Sequence, residues 1–262
     1  MNTSEQNQLT AADANVSKNV VLITGALTGI GRATAIAFAQ DGAKVVVSGR
    51  KDAEGQSLVE ELNALGAEAA FVRADVRFET DVEQLVAQTI SRFGRLDIAV
   101  NNAGTEGTPG PVTDQTAETY NNIFDTNVLG VLLSMKHQLK AMQQQGSGSI
   151  VNVSSVLGRK GMGNVSVYTA SKHAVEGLTK AAALEVAHTG IRVNVVAPGP
   201  IETPMLNRFV TTEEHKEGFR TTIPAQRMGL PEEIAQTIVF LGSAKSPYLT
   251  GQSIAVDGGM LA

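Results

Sequence analysis

Cysteine is absent from the 262-residue chain, which excludes a disulfide framework, a thiolate zinc site and a cysteine nucleophile. The same absence suits a reducing cytoplasm. No basic run occurs and the formal net charge is −5, so the footprint of a nucleic-acid partner is missing. No apolar run approaches the ~20 residues of a membrane span. The opening "MNTSEQNQLTAADANVSKN" has neither a basic start nor an apolar stretch, so it does not read as a signal peptide. Residues 1–18 read instead as a polar, mobile extension. The four histidines (His137, His173, His188 and His215) lie scattered without metal-ligand spacing, and no metal is expected. Neither a repeat, a linker nor a shift in composition divides the chain. The expectation is a soluble, cytoplasmic protein with one domain over residues 19–262.

What is present is an alternation. "NVVLIT" (residues 19–24) is a continuous apolar run, as in a strand covered on both faces. "GIGRATAIAFAQDGA" follows with apolar residues at helical spacing and stops near Gly42. "KVVVSG", "AAFVRAD", "LDIAVNNA", "GSIVNVSS", "IRVNVVAPG" and "SIAVDG" read as further strands. Helical patterns separate them, among them one long helix over residues 115–144 and one opened by Pro231, a residue welcome in a first turn. Strands that alternate with helices, with connections too long for hairpins, predict an α/β fold: a single doubly wound, Rossmann-type parallel sheet of about seven strands. Ligands of such sheets bind beyond the carboxyl ends of the strands, so those ends are where chemistry is sought.

After the first strand stands "TGALTGIG", with Gly25, Gly29 and Gly31 ahead of a helix. Glycines there let the backbone approach a phosphate while the helix start offers amides and a positive dipole end; they could also serve the turn alone. The second strand ends in Gly49 and Arg50, where an acid would hydrogen-bond the ribose hydroxyl of NAD. An arginine in its place could pair with the 2′-phosphate of NADP, or could simply be a solvated turn cation. Asp75, after the third strand, is either an adenine contact or a turn residue. "NNAG" (residues 101–104) after the fourth suits a loop beside a ligand or an Asx turn. Ser155 closes the fifth strand, and "APGPIETP" stiffens the chain after the sixth. In the helix that follows Ser155, Tyr168 and Lys172 lie four residues apart and share one face.

Taken in order, "TGALTGIG", "NNAG", Asn127, Ser155 and "YTASK" resemble the classical short-chain dehydrogenases/reductases, and the resemblance runs from about Lys18 to the "VDGG" near the end. It implies hydride transfer between a nicotinamide cofactor and a carbonyl or secondary alcohol. It implies Tyr168 as acid/base, Lys172 as its partner, Ser155 as the group that polarises the substrate oxygen, and Asn127 as a member of a proton relay. Cofactor contacts are implied for Gly25, Thr28, Gly29, Ile30 and Gly31 in the first turn, and for Arg50, Asp75 and Val76 after the next two strands. Asn102, Ala103 and Gly104, then Pro198, Gly199, Ile201 and Thr203, complete that set with Tyr168 and Lys172. NADP is expected, with NAD possible, and the family suggests a homotetramer packed through the long helix and the tyrosine helix.

Free tyrosine ionises near pH ~10. A neighbouring ammonium and a positive nicotinamide should lower that value, making a better acid/base. A 3-ketoacyl-thioester reductase and a sugar dehydrogenase both fit the family. A catalytically silent dinucleotide sensor or scaffold is the alternative from another class, although Asn127, Ser155, Tyr168 and Lys172 are all retained. Residues 203–225 hold Met205, Leu206 and Phe209 close together and read as a lid over the substrate, with a packed helical insertion as the other reading.

Overall fold

The computed structural model describes residues 19–210 and 212–262; the expected N-terminal extension lies outside the described residues. Among these, seven strands form one parallel sheet: β1 (Val20–Thr24), β2 (Lys44–Gly49), β3 (Ala69–Arg73), β4 (Ile98–Asn101), β5 (Gly148–Val153), β6 (Ile191–Pro198) and β7 (Ser253–Val256). Their order across the sheet is β3-β2-β1-β4-β5-β6-β7. The order reverses between β1 and β4, which pair with Thr24 opposite Asn101 at their carboxyl ends. A crevice at such a switch point is where doubly wound sheets bind ligands. The Rossmann-type fold is therefore as the alternation predicted.

Alternation within each strand assigns the helices to faces, because successive side chains point to opposite sides. Val21 and Ile23 of β1 join a core with Phe38 of α1 (Gly29–Gln40), Leu58 of α2 (Asp52–Ala64) and Ile238 of α9 (Pro231–Gly242). Leu22, between them, joins the opposite core with Leu85 of α3 (Glu79–Phe93), Met135 of α5 (Gly130–Gln145) and Val175 of α6 (Ser166–Val186). Each fully buried Leu, Ile, Val or Phe contributes roughly 1.5–3 kcal/mol, so both faces hold the sheet with many such side chains.

Two local readings are corrected. The single helix expected over residues 115–144 is two helices, α4 (Ala117–Phe124) and α5, joined by a π-helical turn over Asp125–Leu129. Asp, Thr and Asn in succession are poor helix formers, and the wider turn absorbs them while carrying Asn127 inward, where it is 1% exposed. Asn101 is not a loop amide: it ends β4 and is buried. Its side chain exchanges hydrogen bonds with Gln138 (3.0 and 2.8 Å) and donates to Asn152 Oδ1 at 2.8 Å. Asn152 in turn donates to Thr179 Oγ1 at 2.9 Å. The segment over residues 203–225 contains two short helices, α7 (Pro204–Phe209) and α8 (Glu213–Thr221).

A buried amide chain joining β4, β5, α5 and α6 is stable only while every member is satisfied. Asn101→Leu should therefore cost about 2–4 kcal/mol in urea unfolding, since it strands the Gln138 amide and the Asn152 carbonyl. A loss under about 0.5 kcal/mol would contradict the accounting.

Candidate active site

The β1–α1 turn is built by close approach. Gly25 has φ +62°, and a methyl there would lie 2.7 Å from Ala103 Cα; one at Gly31 would lie 2.4 Å from the Gly25 oxygen. Asn102 ties this turn to β4, its Nδ2 donating to the carbonyls of Thr24 (3.2 Å) and Gly25 (2.9 Å). Thr24 Oγ1 returns the contact by accepting from the amides of Asn102 and Ala103, each at 3.2 Å. Thr28 precedes α1 without a side-chain cap, and the first turn, with Gly29, Ile30 and Gly31, holds no acid. Amides and a positive dipole end at that start suit the diphosphate of a dinucleotide.

Arg50 follows β2 and is exposed. Its neighbours are engaged: Lys51 with Glu54 at 2.7 Å and Arg73 with Asp52 at 3.6 Å. Arg50 makes no ion pair among the described residues, and its charge reaches Asp75. Asp75 itself serves a turn. Its Oδ1 accepts from the Arg77 amide (3.2 Å) and its carboxylate binds the Arg77 guanidinium at 2.6 Å, which holds its ionisation below the ordinary range. Val76 is buried in a small apolar cluster with Val82, Leu133 and Ala103.

Beyond the carboxyl ends of the strands opens a cavity of about 870 Å³. Ile30, Asn102, Gly104, Ser155, Tyr168, Lys172, Pro198, Gly199, Ile201 and Thr203 all line it. Ser155 caps the short turn after β5 by accepting from the Leu157 amide at 3.1 Å. Thr203 caps α7 by accepting from Leu206 N at 3.3 Å, and its methyl faces Gly29. Lys172 is 6% exposed and donates to the Val153 carbonyl at 3.0 Å, with its Nζ 5.6 Å from the Tyr168 ring centre. A methyl on Gly104 would lie 3.3 Å from Asn127 Oδ1 and 3.7 Å from Lys172 Nζ, so those two groups converge there. Asn127 pins Thr105, accepting from its amide (2.8 Å) and donating to its carbonyl (2.9 Å). Asn127 also donates to Ser171 Oγ at 3.1 Å, and Ser171 donates to the Tyr168 carbonyl at 2.7 Å. Gly25, Thr28, Gly29, Gly31, Arg50, Asp75, Val76, Ala103 and Asn127 do not line this cavity.

Burial governs the electrostatics of the pair. Tyr168 is pushed up to about 12, chiefly by burial, with Glu106 adding to the rise and a hydrogen bond with Ser155 opposing it. Lys172 is pushed down to about 8 by burial, against the pull of Glu176. Lys172 is not among the causes that lower Tyr168, and burial of the ammonium itself loosens its proton. Sequence reasoning also passed over Thr24, Ser171, Glu106 and Glu176. Each left a signal: Thr24 directly before Gly25, Ser171 within "YTASK", Glu106 after a strand end, and Glu176 one turn beyond Lys172.

A family model described as enoyl-(acyl carrier protein) reductase matches residues 25–261. The cyclohexanol dehydrogenase of Acinetobacter sp. (strain SE19) is 41% identical over 242 residues, 92% of this chain and 94% of that protein. The chain belongs to the short-chain dehydrogenases/reductases. It is an oxidoreductase acting on alcohol and carbonyl groups, not a silent scaffold. The crystal structure of levodione reductase superposes with a TM-score of 0.90 at 38% identity, covering 92% of this short-chain dehydrogenase/reductase and 97% of that chain. The structure of ElxO with NADP bound gives 0.88 at 35% identity, covering 93% and 98%. Among the described residues no helix is long and apolar enough to cross a membrane, and no cluster of side chains could hold a metal ion.

A charged lysine in a buried position costs stability that a neutral side chain does not. Below pH ~8 the folded and unfolded lysine are both protonated and that cost is complete; it fades between about 8 and 10.5 as the folded form gives up its proton first. Lys172→Met should therefore raise the melting temperature at pH 7 by roughly 2–4 °C. The gain should shrink steadily from pH 8 to 10. A variant melting below wild type at pH 7 would contradict this.

Proposed function

We propose that the protein interconverts a neutral, largely apolar ketone and its secondary alcohol, using NADP(H) in preference to NAD(H). The observation that carries this reading is the convergence of Ser155, Tyr168 and Lys172 on one cavity walled by Val156, Leu157, Met162, Val165, Leu206 and Phe219. A sugar would leave its hydroxyls unpaired against such walls, so the sugar-dehydrogenase alternative is disfavoured.

The first-turn glycines and the open start of α1 would hold the cofactor's diphosphate, with Arg50 against a 2′-phosphate. Asn102, Ala103 and Gly104, and Pro198, Gly199, Ile201 and Thr203, would border the rest. When bound, the nicotinamide supplies or accepts the hydride. In reduction Tyr168 gives its phenolic proton to the substrate oxygen, and its high affinity for that proton keeps it loaded at neutral pH. Ser155 donates to the same oxygen as negative charge develops on it, which lowers the barrier. Lys172 then faces the tyrosinate across one helical turn, and Asn127 holds the Thr105 loop against the site. In oxidation the same groups run backward: the phenol must first release its proton to solvent, and positive charge nearby stabilises the phenolate that remains.

The apolar residues of α7 and α8 support a lid role for residues 203–225. Exposed Leu132 on α5 and Leu184 on α6 support a homotetramer built through these two helices. The absence of cysteine favours the cytoplasm.

One assay tests the core of the reading: initial rates with NADPH and NADH over a panel of cyclic and linear ketones. Tyr168→Phe should lower turnover at least 1,000-fold, the combined scale of acid catalysis and oxyanion stabilisation, with cofactor affinity retained. Arg50→Ala should weaken NADPH by about tenfold, roughly the value of one charge-assisted contact, and leave NADH within about twofold. Retention of several per cent of the rate in the first, or equal cofactor losses in the second, would overturn the respective assignment.

A further inference from the structure

Glu106 stands out among the cavity-lining residues. It follows the Thr105 backbone that Asn127 clamps from both sides, so its place is fixed by the same amide that borders the catalytic lysine. Its side chain is 15% exposed and lines the cavity that also holds Tyr168. From the other side Arg208 of α7 reaches it with two hydrogen bonds, Nε to Oε1 at 2.7 Å and a terminal nitrogen to Oε2 at 3.1 Å. The pair is asymmetric, because the guanidinium is 61% exposed. Water screens the cation, while the carboxylate's field is directed into an apolar, poorly screened space. That Glu106 raises the proton affinity of Tyr168 places its field at the reacting end of the cavity.

We propose that Glu106 sets the charge specificity of the site: its carboxylate excludes carbonyl compounds bearing a negative charge close to the reacting carbon and admits neutral ones. This rests on the ketone-reductase reading given above. The remaining charged groups on the wall are Lys172, Lys160 and Glu214. Lys160 donates to the Met260 carbonyl at 3.5 Å, and Glu214 is exposed. Lys160 is the competitor, since an ammonium on the wall would favour an anion. The proposal requires Glu106 to outweigh it near the carbonyl.

The test is a pair of substrates with the same ketone and different charge, ethyl 3-oxobutanoate and 3-oxobutanoate, reduced at pH 7 with saturating NADPH. Wild type should favour the ester in kcat/KM by about 30-fold or more, as expected for a like-charge contact in a poorly screened cavity. Glu106→Gln should bring the ratio to within about threefold, through a lower KM for the acid. Glu106→Asp, which keeps the charge, should keep the preference. Arg208→Ala should widen it, because the carboxylate then loses its counterion. If the pair were only a mechanical clasp, Glu106→Gln and Arg208→Ala would move both substrates alike, and the proposal would be overturned. A wild-type enzyme that takes the acid as readily as the ester would overturn it too, and would give the role to Lys160. Turnover of the ester that vanishes in Tyr168→Phe supports the underlying reading independently of the ratio; reduction of neither substrate by wild type would overturn both.

Discussion

An ammonium and a phenol, one helical turn apart, line one largely apolar cavity, the ammonium buried and the phenol partly so. The rest of the structure answers to that constraint. Desolvation moves the two groups in opposite directions, the phenol towards holding its proton and the lysine towards releasing its own. The pair is therefore sensitive to every charge and hydrogen bond nearby: Val153 gives Lys172 a carbonyl, Glu176 supports its charge, and Ser155 meets the phenol. A surface pair of the same spacing would be screened and would respond to none of these.

Holding such a pair requires a rigid frame, and the parallel sheet supplies it. The carboxyl ends of β1 and β4 are stitched by Thr24 and Asn102, which fixes the glycine turn beside the cavity. Beneath them the buried amide chain from Gln138 through Asn101 and Asn152 to Thr179 locks α5 and α6 to the sheet. The tyrosine helix is thereby set against β5, and the turn that follows this strand carries Ser155. The π-helical turn then places Asn127 between the Thr105 loop and Ser171. Polar groups in this core act as positional restraints, since each has a specific partner where apolar side chains would tolerate sliding.

Much of this was legible in the sequence, for physical reasons. Continuous β-branched runs are what doubly covered strands require, and Gly25 and Gly31 stand where no side chain fits. Other features were hidden. A π-helical turn alters hydrogen-bond register by one residue, and only the weak helix formers at residues 125–127 hint at it. Asn101 reads as a loop amide because its partners lie 37 and 51 residues away. Asp75 makes a turn contact with Arg77 that the sequence pattern did not single out. The direction of the Tyr168 shift depends on how much water the fold removes, which spacing along a helix does not encode. Glu106 and Arg208 lie 102 residues apart, beyond any local pattern.

The central claim is that Tyr168 holds its proton by burial and releases it more readily once positive charge is brought into the site. Because the chain has no tryptophan and three tyrosines, tyrosinate absorbance near 295 nm reads phenol ionisation directly. The decisive measurement is the difference titration of wild type against Tyr168→Phe, without cofactor and with saturating NADP⁺. The account predicts that the Tyr168 ionisation lies well above pH 10 in the free protein and drops below 10 with the oxidised cofactor. An ionisation at the ordinary value in the free protein, or one the cofactor leaves unmoved, would contradict it.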